Sequence, residues 1–224
     1  MHYSTAERNH GMKHDPFKAL ITPRPIGWVS TISKDGVPNL APYSFFNGIS
    51  DRPPMVMFSS AGRKDTLKNI EANGEFVCSM ATHDLCDAMN ISSAPVEHGV
   101  SEFKLAGLKT AESKLVLPPR VADSPAALEC KLWKLIELPV PERHPELAYI
   151  MVIGSVVGVY IDDRYIKDGI FDTQSAKPIA RMGYMDYAVV TSDTTFTLNR
   201  PTVVGSGQNV EVKVESGPWD GVYR

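Results

Sequence analysis

The stretch from Ser59 to Thr66 carries the residue types that bind a phosphate group. It contains two serines, a glycine and two consecutive cations, Arg63 and Lys64, and it leads into a segment with a helical pattern. The first N–H groups of a helix lack partners within the helix and attract anions. Hydroxyl and cationic side chains beside them would complete a phosphate receptor. A simpler interpretation stays open, in which Asp65 caps an ordinary helix and both cations are solvated.

Other motifs in the sequence give no support for a metal site or a catalytic triad. The GxxxxGK[ST] pattern of P-loop nucleotide hydrolases is absent, and Gly205 and Gly207 lack the third glycine of a dinucleotide-binding loop. His83 and Cys86 stand at metal-ligand spacing, but nothing supplies two further ligands. We therefore expect no metal.

Most of the elements that must position these residues are strands. Short apolar, β-branched or alternating runs separated by proline and glycine predict them. Lys34-Asp35-Gly36 predicts the turn of a hairpin, and the longest strand is expected to bend at Gly154 or Gly158. The predicted strands cover residues 26–33, 37–40, 55–58, 76–80, 128–132, 147–161, 187–191, 195–198 and 210–214.

Predicted helices are few. One covers residues 65–74, with Asp65 as its N-terminal cap and Gly74 as its C-terminal stop, and a second covers 83–89. Prolines break residues 92–125 into loops of mixed type, which receive no assignment. The regular βαβ alternation of a parallel doubly wound sheet is missing. The sequence therefore predicts a mainly β fold, best fitted by a closed or partly closed antiparallel barrel.

Length and composition indicate one globular domain. The 224 residues are 43% hydrophobic and 22% charged, which suits a single domain over 1–224 with a sizeable core. The net charge of -3 and the scattered basic residues argue against nucleic acid as a partner. The longest uncharged stretch, 149–161, is too short for a membrane helix, and the N-terminal residues lack a secretory signal. We expect a cytoplasmic protein with reduced cysteines.

Three runs of the sequence resemble the successive signatures of the flavin reductase-like, FMN-binding split-barrel family. They are TPRPIGWVST at 22–31, NLAPYSFFN at 39–47 and RKDT at 63–66, and a weaker similarity continues through 168–172 and 181–184. Three motifs in order are far more specific than one. The resemblance implies an antiparallel split β-barrel with a few peripheral helices, FMN as cofactor, and a homodimer with the flavin at the subunit interface.

The resemblance also implies which residues bind the cofactor. The first two runs would border the flavin, the third would hold its phosphate, and a later arginine would join them. Trp28 and Phe45 are equally explained as core aromatics. Arg24, held in extended backbone by its two flanking prolines, suits either a salt bridge between subunits or the ligand. The implied cofactor-binding residues are Trp28, Ser30, Thr31, Ser44, Phe45, Phe46, Ser59, Ser60, Arg63, Lys64, Thr66 and Arg181.

The function implied by the resemblance is that of an NAD(P)H-dependent flavin reductase, in which the flavin carries the chemistry and no catalytic side chain is needed. Family members that use NADH rapidly often carry a Gly-Asp-His run, whereas residues 181–187 read RMGYMDY. A flavoredoxin-like electron carrier reduced by a protein donor therefore stays open, as does a non-catalytic flavin- or haem-binding module. Residues 193–224 are expected to form a C-terminal extension that packs on the barrel or on the partner subunit.

Overall fold

The computed structural model describes residues 1–140, 145, 148–206, 209–214, 217–219 and 221. The chain forms two compact units, 1–190 and 191–224. The helices are α1 (Phe17–Leu20), α2 (Asp65–Asn73), α3 (Cys86–Ile91), α4 (Glu102–Leu105) and α5 (Thr173–Ala176), with 3-10 turns at His83–Leu85, Asp163–Tyr165 and Ser192–Thr194. The strands are β1 (Arg24–Pro25), β2 (Gly27–Ile32), β3 (Pro38–Tyr43), β4 (Phe46–Asp51), β5 (Pro54–Ala61), β6 (Glu75–Met80), β7 (Thr110–Ala111), β8 (Arg120–Val121), β9 (Ala126–Glu137), β10 (Tyr149–Ile161), β11 (Ile166–Lys167), β12 (Ile170–Phe171), β13 (Ile179–Arg181), β14 (Tyr187–Val189), β15 (Thr202–Ser206) and β16 (Asn209–Lys213).

The main sheet has seven strands in the order β3-β2-β6-β9-β10-β5-β4, and every neighbouring pair is antiparallel. A smaller sheet of β1, β13 and β14 accompanies it in the first unit. Strands outnumber helices, and no parallel pair occurs among the described strands. The predicted mainly β, antiparallel fold is confirmed.

Strand β2 is buried on both faces, because its alternate side chains enter two separate clusters. Val29 belongs to the cluster that contains Phe58 and Phe76, whereas its neighbour Trp28 belongs to the cluster that contains Phe103. A strand buried on both faces explains why residues 26–33 show little polar alternation.

The predicted cap of α2 and one predicted strand differ from the structure. Helix α2 ends at Gly74 as predicted, with the glycine at φ 72, but Asp65 is its first helical residue rather than its cap. Lys64 takes the extended capping position and makes no side-chain capping bond, because its ammonium group can only donate hydrogen bonds. The Asp65 carboxylate pairs with Lys68 and His98. Residues 195–198 form no strand, so that prediction was wrong.

The long strand β10 is irregular at both glycines where a bend was predicted. Its register with β9 shifts next to both Gly154 and Gly158. A side chain at position 154 would collide with the ring of Phe76, so the glycine also permits close packing there. The predicted start of this strand at Leu147 lies outside the described residues.

Residues 92–125, which the sequence left unassigned, are fixed to the barrel mainly through side chains. The Glu129 carboxylate accepts N–H bonds from Lys114 (2.9 Å) and Leu115 (2.6 Å), and the Ser79 hydroxyl accepts one from Val121 (3.1 Å). These acceptors satisfy backbone groups that have no sheet partner. Among the described residues, no helix is long and apolar enough to cross a membrane.

Candidate cofactor site

A cavity of about 420 Å³ lies at the beginning of helix α2. Strand β3 forms one side, the first turn of α2 forms another, and the segment after α3 closes it. The cavity is lined by Asn39, Ala41, Pro42, Tyr43, Lys64, Asp65, Thr66, Lys68, Ser92, Ser93, Ala94, Pro95, Val96, His98 and Glu102. Below, we call it the helix cavity.

Three hydrogen bonds fix α2 to strands β2 and β3. Asn39 donates to Thr66 (2.9 Å), Asn69 donates to Thr31 (3.0 Å), and Asn73 donates to the carbonyl at the end of β2 (2.6 Å). Positions 66, 69 and 73 lie on one face of a helix, so all three bonds point toward the sheet. The start of α2 is thereby held in one place beside the cavity.

The charges at the start of α2 are mixed. The carboxylate of Asp65 lies 2.9 Å from the His98 ring nitrogen and 3.2 Å from the Lys68 ammonium. Burial tends to raise the pKa of Asp65, but the hydrogen bonds from His98 and Lys68 outweigh it and hold the pKa below its ordinary value. Lys64 is exposed at the mouth of the cavity.

Two titratable groups with raised pKa values also line the helix cavity. Burial raises the pKa of the Tyr43 phenol, although hydrogen bonds with Thr66 and Ser60 oppose this shift. Burial likewise raises the pKa of Glu102, whose carboxylate accepts the N–H bond of Leu40 at 2.9 Å. Both shifts favour the neutral forms of these groups.

Arg63 lies away from the helix cavity. Its guanidinium pairs with Glu71 and with Glu137, the second at 2.9 Å, and it lines a different cavity of about 290 Å³. Arg63 lies in the bend that follows β5, next to Gly62 at φ 73, whereas Lys64 has extended backbone and leads into α2. Of the two consecutive cations in the sequence, Lys64 lines the helix cavity and Arg63 does not.

A second cavity, of about 320 Å³, adjoins the first, because Pro42 and Ser93 line both. It is formed by α1, by β1 and β13, and by the segment that follows β13. Its lining residues are Lys18, Arg24, Ile26, Pro42, Ser44, Asn90, Ser93, Arg181, Tyr184, Met185 and Tyr187. Below, we call it the arginine cavity.

The two arginines of this cavity face each other across the β1–β13 pair. Arg24 donates to the carbonyls of Ile21 (2.5 Å) and Met182 (3.0 Å), and also to that of Lys18. Arg181 donates to the Tyr187 hydroxyl, its guanidinium lying 4.6 Å from the centre of that ring. Burial and the neighbouring charge of Arg181 lower the pKa of Arg24.

The predicted cofactor residues fall into two groups. Four of them line the two adjoining cavities, namely Ser44, Lys64, Thr66 and Arg181. Arg63 lines a third cavity, as described above. The other seven lie in strands β2, β4 and β5 or, for Phe45, just before β4, and they are Trp28, Ser30, Thr31, Phe45, Phe46, Ser59 and Ser60.

Several members of the second group have internal partners. The Trp28 indole N–H donates to Ser92 (2.9 Å), and the Ser30 hydroxyl donates to the carbonyl of Pro119. Both side chains are fully buried, as the core interpretation of Trp28 expects. Ser60 is also fully buried and donates to the carbonyl of Gly62 (3.1 Å). Their contact with a flavin stays a prediction.

The remaining predicted residues lie near the β4–β5 edge. The Ser59 N–H donates to the carbonyl of Phe45 (2.9 Å), whose ring packs against Tyr149 at 5.9 Å between centres. The ring of Phe46 lies so close to Gly27 that any side chain at position 27 would collide with it. This close contact explains the glycine in the first run of the resemblance.

Sequence reasoning missed Lys18, His98 and Glu102 as cavity residues. No motif pointed to them, because they come from loops and one-turn helices distant in sequence. Arg24 was singled out by its flanking prolines, and the structure places it in the arginine cavity.

Residues 19–179 match the family model described as "Flavin reductase like domain". The chain belongs to the flavin reductase-like family. An uncharacterized protein from Aquifex aeolicus is 38% identical over 170 residues, which cover 73% of this chain and 83% of that protein.

Solved structures agree with the family assignment. Nitrilotriacetate monooxygenase component B from Bacillus cereus is similar with a TM-score of 0.75 and 31% identity, covering 84% of this chain and 96% of that one. Flavoredoxin of Desulfovibrio vulgaris (Miyazaki F) has a TM-score of 0.70 and 23% identity, covering 81% and 94%, and this likeness shows the fold alone. The predicted split-barrel fold is confirmed. Membership in the flavin reductase-like family supports a flavin cofactor and a flavin-related oxidoreductase activity.

Proposed function

We propose that this chain is an FMN-binding oxidoreductase that takes electrons from NADH or NADPH. The observation that carries the proposal is the pair of adjoining cavities, one at a helix N-terminus and the other beside the β3 segment of the family signature. Their sizes, about 420 and 320 Å³, fall in the usual range for ligand pockets. Both cavities lie in the unit that matches the family model.

In this proposal the helix cavity holds the phosphate. The first backbone bond of α2 runs from the Lys68 N–H to the Lys64 carbonyl, so the N–H groups at positions 65–67 have no partner within the helix. A phosphate there gains from these N–H groups, from the helix dipole and from the Lys64 ammonium. The Lys68 ammonium and the hydrogen bond from His98 stabilise the opposing charge of Asp65. Thr66, fixed by Asn39, keeps the first turn in position.

Pro42 and Ser44, which line the arginine cavity, would help to hold the flavin ring. A bound flavin accepts hydride and passes electrons on singly or in pairs. The protein then has to bind, orient and shield the ring and to supply nearby positive charge. This division of labour fits a site with cations and hydroxyls, in which both lining carboxyls are engaged by protein donors, Asp65 by His98 and Lys68 and Glu102 by the Leu40 N–H.

We further propose a homodimer. Apolar side chains on the outer faces of β9 and β10 are exposed in the single chain, with Trp133 at 61% and Val159 at 62% of their full accessible surface. Exposed apolar surface of this kind favours association with another protein surface.

A flavoredoxin-like carrier is the second candidate, and the segment at 181–187 favours it. That segment lacks the histidine of rapid NADH users, and Arg181 and Tyr187 bond to each other across it. A carrier would bind FMN but would receive its electrons from a protein. A non-catalytic flavin- or haem-binding module would show neither transfer.

The test is a visible spectrum of the purified protein with and without added FMN, followed by NADH and then NADPH in the absence of oxygen. A flavin band that either nucleotide bleaches supports the reductase and identifies its donor. Bound flavin that neither nucleotide bleaches favours the carrier or the non-catalytic module. To distinguish these two, the flavin is reduced with dithionite, and the transfer of its electrons to cytochrome c is then measured. A haem spectrum, or failure to bind FMN, overturns the proposal.

A further inference from the structure

The arginine cavity concentrates positive charge without an internal counter-charge. Lys18, Arg24 and Arg181 line it, and no carboxylate occurs among its described lining residues. Arg24 is only 5% exposed, so its charge is largely removed from water. Buried charges are normally paired with an opposite charge, because desolvation of an unpaired charge is strongly unfavourable.

The contacts of Arg24 compensate this charge only in part. Its terminal nitrogens donate to backbone carbonyls, but its Nε is buried without a hydrogen-bond partner. Arg181 stands directly opposite on the neighbouring strand, and like charges in that position repel each other. An arrangement that costs stability in the free chain becomes favourable when an anion enters.

We propose that the arginine cavity binds the anionic oxygen group, carboxylate or phosphate, of the molecule that exchanges electrons with the flavin. The proposal rests on the proposed function, because it places this molecule beside a flavin in the adjoining cavity. Guanidinium groups match both oxyanions with paired hydrogen bonds, and such bonds are the strong ones.

Other lining residues restrict the rest of that molecule. The rings of Tyr184 and Tyr187 offer flat surfaces for an aromatic or other planar group, and Ser44 and Asn90 offer hydrogen bonds to it. A volume of about 320 Å³ suits a small organic acid or one end of a nucleotide rather than a whole dinucleotide. The structure thus assigns a small planar anion as the class of ligand.

The experiment titrates FMN-loaded protein with benzoate, phenyl phosphate and benzamide while the flavin absorption bands are followed. These probes share a ring and differ in the group that would meet the arginines. The variants are Arg181→Gln and Lys18→Gln, with Arg52→Gln as the matched control, because Arg52 is exposed in the turn between β4 and β5. Circular dichroism checks that each variant is folded.

We expect the wild-type protein to bind benzoate or phenyl phosphate at least about tenfold more tightly than benzamide, as one charge-assisted hydrogen bond provides. Arg181→Gln should remove most of that preference, Lys18→Gln part of it, and Arg52→Gln none. Preference for benzoate indicates a carboxylic acid ligand, and preference for phenyl phosphate indicates a phosphate-bearing one.

The proposal is overturned if benzamide binds as tightly as both anions, or if Arg181→Gln and Arg52→Gln behave alike. It is also overturned if Arg181→Gln weakens FMN as much as it weakens the anion, because the arginines then serve the flavin itself. If FMN does not bind at all, the proposed function fails instead. The same titrations on flavin-free protein, followed by NMR, then decide separately whether the cavity selects anions.

Discussion

The helix cavity and the arginine cavity adjoin each other but balance their charges in different ways. In the helix cavity, Asp65 lies between His98 and Lys68, so opposite charges meet within the cavity. In the arginine cavity, the guanidinium groups of Arg24 and Arg181 donate to carbonyl, hydroxyl and thioether groups, and no carboxylate occurs among the described lining residues.

This difference separates two ways of binding an anion. The helix cavity would hold a phosphate mainly by directed N–H groups on a fixed helix, with one nearby ammonium. The arginine cavity would hold an oxyanion by net charge and paired guanidinium bonds. Variants that change one cavity and leave the other intact can therefore test the distinction.

The largest effect is expected for Trp28→Ala, which affects both cavities. Trp28 is fully buried, and its indole N–H holds Ser92, next to the Ser93 wall that the cavities share. Loss of a buried aromatic costs roughly 3–5 kcal/mol of unfolding free energy, and we expect weaker FMN binding as well. Urea denaturation and FMN titration measure the two effects. Trp28→Phe keeps most of the volume and should cost much less, so equal losses in the two variants would contradict this account.

An intermediate effect is expected at the helix cavity alone, where neighbouring cations give a matched pair. Lys64→Gln removes the ammonium at the start of α2 and should weaken FMN binding by about tenfold, the usual size for one charge-assisted bond. Arg63→Gln removes the same charge from a residue that pairs with Glu71 and Glu137, and it should change the affinity by less than about twofold. Fluorescence titration with FMN measures both. A larger loss for Arg63→Gln would favour the original sequence expectation that both cations hold the phosphate.

The smallest effect concerns the compensated charge of the helix cavity. His98→Gln removes one of the two partners that lower the pKa of Asp65, so this pKa should rise toward its ordinary value. A lowered pKa stabilises the fold above the unfolded-state pKa, and this stability is lost as the pH falls through the folded-state value. The variant should therefore lose its acid stability at a slightly higher pH than the wild type. NMR titration of the Asp65 carboxyl carbon measures the pKa directly, and an unchanged value would show that Lys68 alone sets it.

The sequence predicted the barrel strands and helix α2 well, because these depend on local patterns. Apolar runs indicated β5, β6 and β10, and Gly74 marked the end of the helix. Asp65 was misplaced as a cap because capping and first-turn positions favour the same acidic residues. Its engagement with His98, 33 positions later in the chain, is a tertiary contact that local patterns do not contain.

The candidate site was only partly predictable for the same reason. Arg63 and Lys64 look equivalent in the sequence, but the bend after β5 and the pairing of Arg63 with Glu71 and Glu137 place them in different cavities. The contact of Thr31 with the flavin stays a prediction, and its bond from Asn69 is a tertiary contact that the sequence pattern does not contain. The meeting of Lys18, Arg24 and Arg181 depends on the pairing of β1 with β13, whose residues are far apart in the chain.

The three bonds that fix α2 to the sheet have a consequence for the thermodynamics of binding. A slide or rotation of the helix by one residue would break the bonds at Thr66, Asn69 and Asn73 together, so the free chain holds this helix in a single register. A ligand that meets a receptor already in its final arrangement loses little affinity to ordering it. The start of α2 is in this sense preorganised, and the proposed phosphate binding there should depend only weakly on thermal loosening of the surrounding loops.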